Sequence, residues 1–145
     1  SLSDKSTYPT LSRTPSSDAV IALGMVRFIA AMKWTRVAII YLDDAWGRGF
    51  ASDTSLFASQ NDITVATMQK TIDGDTGGME EAVLTVKESG ARIILLLVFE
   101  AEAAAFVQHA GRHGLLQEGY VVITGDAISH ESVVATSEDP QATAL

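Results

Sequence analysis

The stretch that most constrains the fold of this chain is "RIILLLV" at 92–98. An extended backbone turns alternate side chains to opposite faces. No position from Ile93 to Val98 is polar, so the strand needs apolar cover on both sides. That rules out a sheet with one wet face. "RVAIIY" at 36–41, "ITVATM" at 63–68 and "YVVIT" at 120–124 read as further strands of this kind. Helical patterns separate them, at about 18–33, 47–60, 79–89 and 100–113. The order is α-β-α-β-α-β-α-β. Buried strands alternating with helices predict an α/β three-layer sandwich: a parallel sheet between helix layers, with right-handed crossovers.

Local signals support these elements. Ser16, Ser17 and Asp18 are cap residues ahead of the first helix. Asn61 marks the end of the second, and Gly90 and Gly114 stand where the third and fourth should stop. "TIDGDTGG" at 71–78 reads as a loop from its glycine and aspartate content. "GDAISHESVV" at 125–134 reads as the start of another helix, and the polar residues 136–145 as a loose end.

In a parallel α/β sheet, ligands bind outside the carboxyl ends of the strands. That edge carries Asp43, Asp44, Trp46, Asp73, Asp75, Glu100, Glu102 and Asp126. The helix dipole alone explains acids in the first turns, such as Glu80, Glu81, Glu100 and Glu102. It does not explain Trp46, whose large ring is either a core plug or a surface for a ligand.

Several chemistries are excluded. The net charge of -8 argues against a nucleic-acid groove, which needs a basic stripe. There is no cysteine, hence no disulfide framework and no thiolate chemistry. "DKST" at 4–7 lacks the glycine of a phosphate-binding loop, and neither a G-x-G-x-x-G nor a G-x-S-x-G motif is present. His109 and His113 stand four apart, but with Arg112 they read as positive groups at a helix end. No apolar run reaches the length of a membrane span. The polar opening "SLSDKSTYPTLSRTPSSD" has no signal-peptide pattern and reads as the middle of a longer protein.

The first residues carry a family resemblance. "YPTLSRT" at Tyr8–Thr14, the following "PSSD", and then "WTRVAIIYLDDAWGRGF" resemble the receptor-type ligand-binding region. That family includes natriuretic peptide, metabotropic glutamate and GABA receptors and bacterial amino-acid-binding proteins of the type I periplasmic fold. "GARIILLLVFEAEAAAFVQHAGRHGL" and "YVVITGDAI" continue the likeness, which covers most of the chain. The proline of "PSSD" stands one position away from the family's usual place.

The resemblance implies one lobe of a two-lobed, ligand-closing protein. Residues 1–14 would be the tail of the first lobe and the hinge, and 15–135 the second lobe. It implies a non-catalytic sensor with no cofactor or metal. The ligand would be a small molecule such as an amino acid or amine, held in an interlobe cleft. The site residues carried over are Asp18 and Asp126, for a ligand ammonium, Trp46 as an aromatic wall, and Glu100 and Ala101 on another cleft-facing loop. Trp46 stands where the family usually has tyrosine. The implied partners are the first lobe and a second receptor chain, on the extracellular or periplasmic side of a membrane. The acids and the ring would then form one wall of the cleft, with Trp46 adding about 0.5–2 kcal/mol of cation–π or stacking contact. Two other readings stand beside this one. One is a lobe that only transmits dimer contacts. The other is a magnesium-binding, receiver-like or enzymatic domain using Asp43, Asp44 and Asp126; against it, no Lys follows Lys87 and no nucleophile is evident.

Overall fold

The computed structural model describes residues 6, 9–10, 16–125 and 128. Asp126, the helix expected from 125 onward, the end segment 136–145 and nearly all of 1–14 lie outside the described residues. The elements run α1 (Asp18–Ala31), β1 (Arg36–Leu42), α2 (Ala45–Gln60), β2 (Thr64–Thr71), α3 (Thr76–Ser89), β3 (Ile93–Leu97), α4 (Glu100–His113) and β4 (Val121–Thr124). The four strands form one sheet in the order β2-β1-β3-β4. Every pairing is parallel: Arg36 opposite Thr64, Val37 opposite Ile93, Ile93 opposite Val121. The expected parallel α/β architecture is what forms.

The sheet has a core on each face, and the pleat of the central strands divides them. Val37, Ile39, Ile93, Leu95 and Leu97 pack with Ala22, Val26 and Ile29 of α1 and with Phe50, Ala51 and Ala58 of α2. Ala38, Ile40, Ile94 and Leu96 pack with Met79, Val83 and Val86 of α3 and with Ala103, Phe106 and Ala110 of α4. This is why "AII" and "IILLL" tolerate no polar residue: each side chain meets a helix layer.

The expectation of burial on both faces fails for the outer strands. β2 is largely half-exposed, with Met68 and Lys70 open to solvent, and β4 is only partly buried. Among the described residues, only β1 and β3 have a strand on each side and a helix layer on each face.

Two helices begin earlier than their composition suggests. Asp44 accepts a hydrogen bond from Gly47 N at 2.6 Å and starts α2 at Ala45, not near 47. Asp75 accepts from Gly78 N at 3.0 Å and starts α3 at Thr76, drawing Gly77 and Gly78 into the helix. An aspartate cap supplies an acceptor to the orphan amides of the first turn, and here it outweighs the poor helix propensity of glycine. The far ends match the sequence: Gly90 (φ 71°) and Gly114 (φ 76°) take the left-handed conformation that closes α3 and α4.

Candidate functional site: the carboxyl edge of the sheet

Among the described residues, three turns between elements stand on the carboxyl edge. The β1–α2 turn holds Asp43 and Asp44, the β2–α3 turn begins at Ile72, and the β3–α4 turn holds Val98 and Phe99. Asp43 N donates to Thr71 O at 2.7 Å, which ties the first two turns together. Helix α1 returns to β1 through the short connection 32–35, so Asp18 at its start lies toward the same edge.

Trp46 stands in the first turn of α2, and its ring is engaged on two sides. It stacks on Phe99 with centroids 4.7 Å apart and planes 18° from parallel. It also meets Phe50 edge-on, at 5.6 Å and 71°. Phe50 is fully buried in the core beneath, while Phe99 is 43% exposed. Three rings thus climb from the core to the surface. Gly125, just past β4, lies against Phe50: an added Cβ would be 3.4 Å from its Cε1. Trp46 is therefore at least in part the plug that the sequence reading allowed: half-buried, it packs on Phe50 on one side and on Phe99 on the other. Its body is packed, and the ring stacked on it faces outward.

Phe99 is the residue the sequence reading missed. The sequence places it on the carboxyl edge, at the start of 99–102, but it was not singled out there. An aromatic at the carboxyl end of a central parallel strand is the signal that could have found it. Ile72, 57% exposed at the end of β2, adds another apolar side chain to this edge.

Two of the acids on this edge, Asp43 and Asp44, are engaged within the fold. Asp44 is committed to capping α2. Asp43 is committed to two cations: Oδ1 accepts from Arg48 Nη1 and Oδ2 from Lys70 Nζ, each at 2.8 Å. The hydrogen bond from Lys70, then that from Arg48, holds the Asp43 carboxyl below the ordinary carboxylate range. The same contact raises the Lys70 ammonium. The paired aspartates are thus a structural clamp joining β1, β2 and α2. Neither has oxygens turned to a shared cation. Among the described residues, no three His, Cys, Asp or Glu side chains come together to hold a metal ion.

Glu100 and Ala101 are exposed in the first turn of α4, next to Phe99. Glu102, in the same turn, is buried. Asp18 is half-buried in the first turn of α1. The structure therefore brings Trp46, Glu100 and Ala101 to one rim, with Asp18 toward the same edge. Asp126 lies outside the described residues.

Comparison with known proteins points the same way as the fold. The family model described as the receptor family ligand binding region matches residues 1–144. Mouse taste receptor type 1 member 3 is 26% identical over 125 residues, covering 83% of this chain and 15% of that protein. The Leu/Ile/Val-binding protein homolog 7 of Brucella abortus (strain 2308) is 25% identical over 108 residues, covering 69% of this chain and 27% of that protein. The metabotropic glutamate receptor-like protein E of Dictyostelium discoideum is 26% identical over 133 residues, covering 87% of this chain and 16% of that protein. The chain spans between 15% and 27% of the length of these relatives.

Proposed function

We propose, because the chain belongs to the receptor family ligand binding region, that it forms one wall of a ligand-binding cleft and does no chemistry on what it binds. The ligand is a small amino acid with an apolar side chain. The observation that carries this reading is the Trp46–Phe99 stack, an outward-facing aromatic shelf at the edge where parallel α/β sheets take ligands. A buried aromatic surface rewards an apolar group at about 25 cal/mol per Å² removed from water. The likeness to the Leu/Ile/Val-binding protein homolog 7 of Brucella abortus agrees with that chemistry.

The polar end of the ligand falls to the carried-over acids. Asp18 and Asp126 receive the ammonium, and Glu100 and Ala101 border the shelf beside Phe99. The opposite wall comes from a first lobe of the same protein. Closure over the ligand expels water and strengthens the contact between carboxylate and ammonium. The working place is the extracellular or periplasmic side of a membrane, where such a cleft meets free amino acids. A receptor dimer partner and residues 15–135 as the second lobe belong to the same proposal.

Calorimetry on the full-length protein with a panel of amino acids tests it. Leucine, isoleucine or valine should bind more tightly than glutamate or lysine. Phe99→Ala should weaken binding roughly three- to tenfold, the scale of one aromatic contact. Asp126→Asn should weaken every amino acid by about 1.5–3 kcal/mol, the scale of a charge-assisted hydrogen bond. Unchanged affinity in both variants, with the ligand bound, would remove the site.

A further inference from the structure

Helices α3 and α4 meet across a cluster that the ligand site does not use. Glu80 of α3 faces two imidazoles of α4. Its Oε1 lies 3.1 Å from His113 Nε2, within hydrogen-bond distance, and 3.9 Å from His109 Nδ1, just beyond it. His109 is only 8% exposed, and its Nδ1 is buried with no hydrogen-bond partner among the described residues. An orphaned buried ring nitrogen is uncommon, because leaving one unpaired costs the desolvation of that group. Here the orphan sits less than an ångström too far from a carboxylate oxygen that another histidine already holds.

We infer that Glu80, His109 and His113 form a proton-operated clasp between α3 and α4, which tightens when His109 takes up a proton. In the open state His113 donates to Glu80, and His109 Nδ1, 3.9 Å away, makes no hydrogen bond to it. A proton on Nδ1 turns it into a donor with an acceptor already facing it. Closing 3.9 Å to a hydrogen bond then needs a small side-chain adjustment, not a rearrangement of the helices. Imidazoles change charge between about pH 5 and 8, so mild acidification is the trigger.

The surroundings fix the limits of the device. Arg112 on α4 and both histidines act on Glu80 by charge. Lys87 at the end of α3, Arg92 ahead of β3, and Glu118 and Tyr120 on the way to β4 line an open pocket with Arg112 and His113. His109, deeper in the contact, has Glu80 as its one ion-pair partner among the described residues. The hydrogen bond from His113, then the charges on His109, His113 and Arg112, hold Glu80 below the ordinary carboxylate range against the opposing effect of desolvation. The acceptor thus stays ionised through the range in which histidine titrates.

A double-mutant cycle at two pH values tests the inference. Thermal midpoints of the wild type, Glu80→Gln, His109→Gln, His113→Gln and the two double variants that pair Glu80→Gln with each histidine variant are compared at pH 8 and pH 5.5. Glu80 and His109 should show no coupling at pH 8 and a coupling of about 2 °C or more at pH 5.5, whereas Glu80 and His113 should couple at both. Equal Glu80–His109 coupling at the two pH values, or none at pH 5.5, overturns the clasp. If His109→Gln does not fold, ¹⁵N imidazole shifts of the wild type and Glu80→Gln decide instead. The expected result is that acidification puts a proton on His109 Nδ1 and that Glu80→Gln alters this transition. A His109 transition indifferent to Glu80→Gln overturns the clasp equally.

Discussion

Gly47 and Gly49 stand two residues apart in the first turns of α2, and the structure gives their alanine variants opposite signs. A methyl group built on Gly47 would overlap the carbonyl oxygen of Leu42 and lie 2.9 Å from its carbonyl carbon and 3.0 Å from its nitrogen. Those are backbone atoms of β1, so no side chain can swing aside. The first turn of α2 would have to lift from the end of the strand. Lifting also strains the Asp44 cap, whose bond runs to the Gly47 amide itself. Overpacking costs about 1–3 kcal/mol and a lost cap about 1 kcal/mol. Gly47→Ala should therefore destabilise the lobe by about 2–4 kcal/mol, lowering its thermal midpoint by roughly 5–15 °C. At Gly49 an added Cβ meets nothing within 4 Å, and the residue is exposed and helical. Gly49→Ala should stabilise by about 0.5–1 kcal/mol, the ordinary gain of alanine over glycine in a helix. Urea unfolding followed by circular dichroism reads both. If Gly47→Ala falls within 0.5 kcal/mol of wild type, α2 does not seat against Leu42 as described, and the placement of Trp46 loses its support.

Trp46→Ala should cost the lobe about 2–4 kcal/mol, since it removes a largely packed ring and two aromatic contacts; Phe99→Ala should cost less, and a cycle between the two should show coupling in chemical denaturation. Ile94→Ala, at a fully buried position in the α3–α4 core, should cost about 2–5 kcal/mol by the same measurement. The Asp43 carboxyl is held below its ordinary value of 3.8, so its contribution is complete above that pH and is lost as pH falls through the lower folded value. Lys70 is raised above 10.5, so its contribution is complete below that pH and is lost as pH rises through the higher one. Asp43→Asn should therefore flatten the acid limb and the alkaline limb of the stability–pH profile, each read from urea midpoints across the range.

How much of this was legible depends on how far apart the deciding residues lie. The strands came from short-range composition: "VAII" and "IILLL" can only be covered on both faces. The glycine stops at Gly90 and Gly114 came from local conformation, since few other residues accept a positive φ there. An Asp ahead of a helix is also a local signal. In "LDDAWG", however, the same two carboxylates could cap, clamp or bind, and the sequence offers no way to choose among these. The choice was made by Lys70, which is 27 residues from Asp43 and reaches it only because β2 pairs with β1 in parallel register.

The sequence by itself determined the alternation of helices and buried strands, and with it the parallel sheet and the edge on which a ligand would lie. Those properties follow from side-chain periodicity and crossover geometry, which act within tens of residues. The tertiary structure decided which strands are central, because the order β2-β1-β3-β4 leaves "ITVATM" half in solvent and "RIILLLV" enclosed. It also brought an aromatic pair together on this edge. Trp46 and Phe99 are far apart in the chain and meet only because β1 and β3 are neighbours whose following turns emerge side by side. Contacts of that separation depend on strand order, which no local pattern encodes.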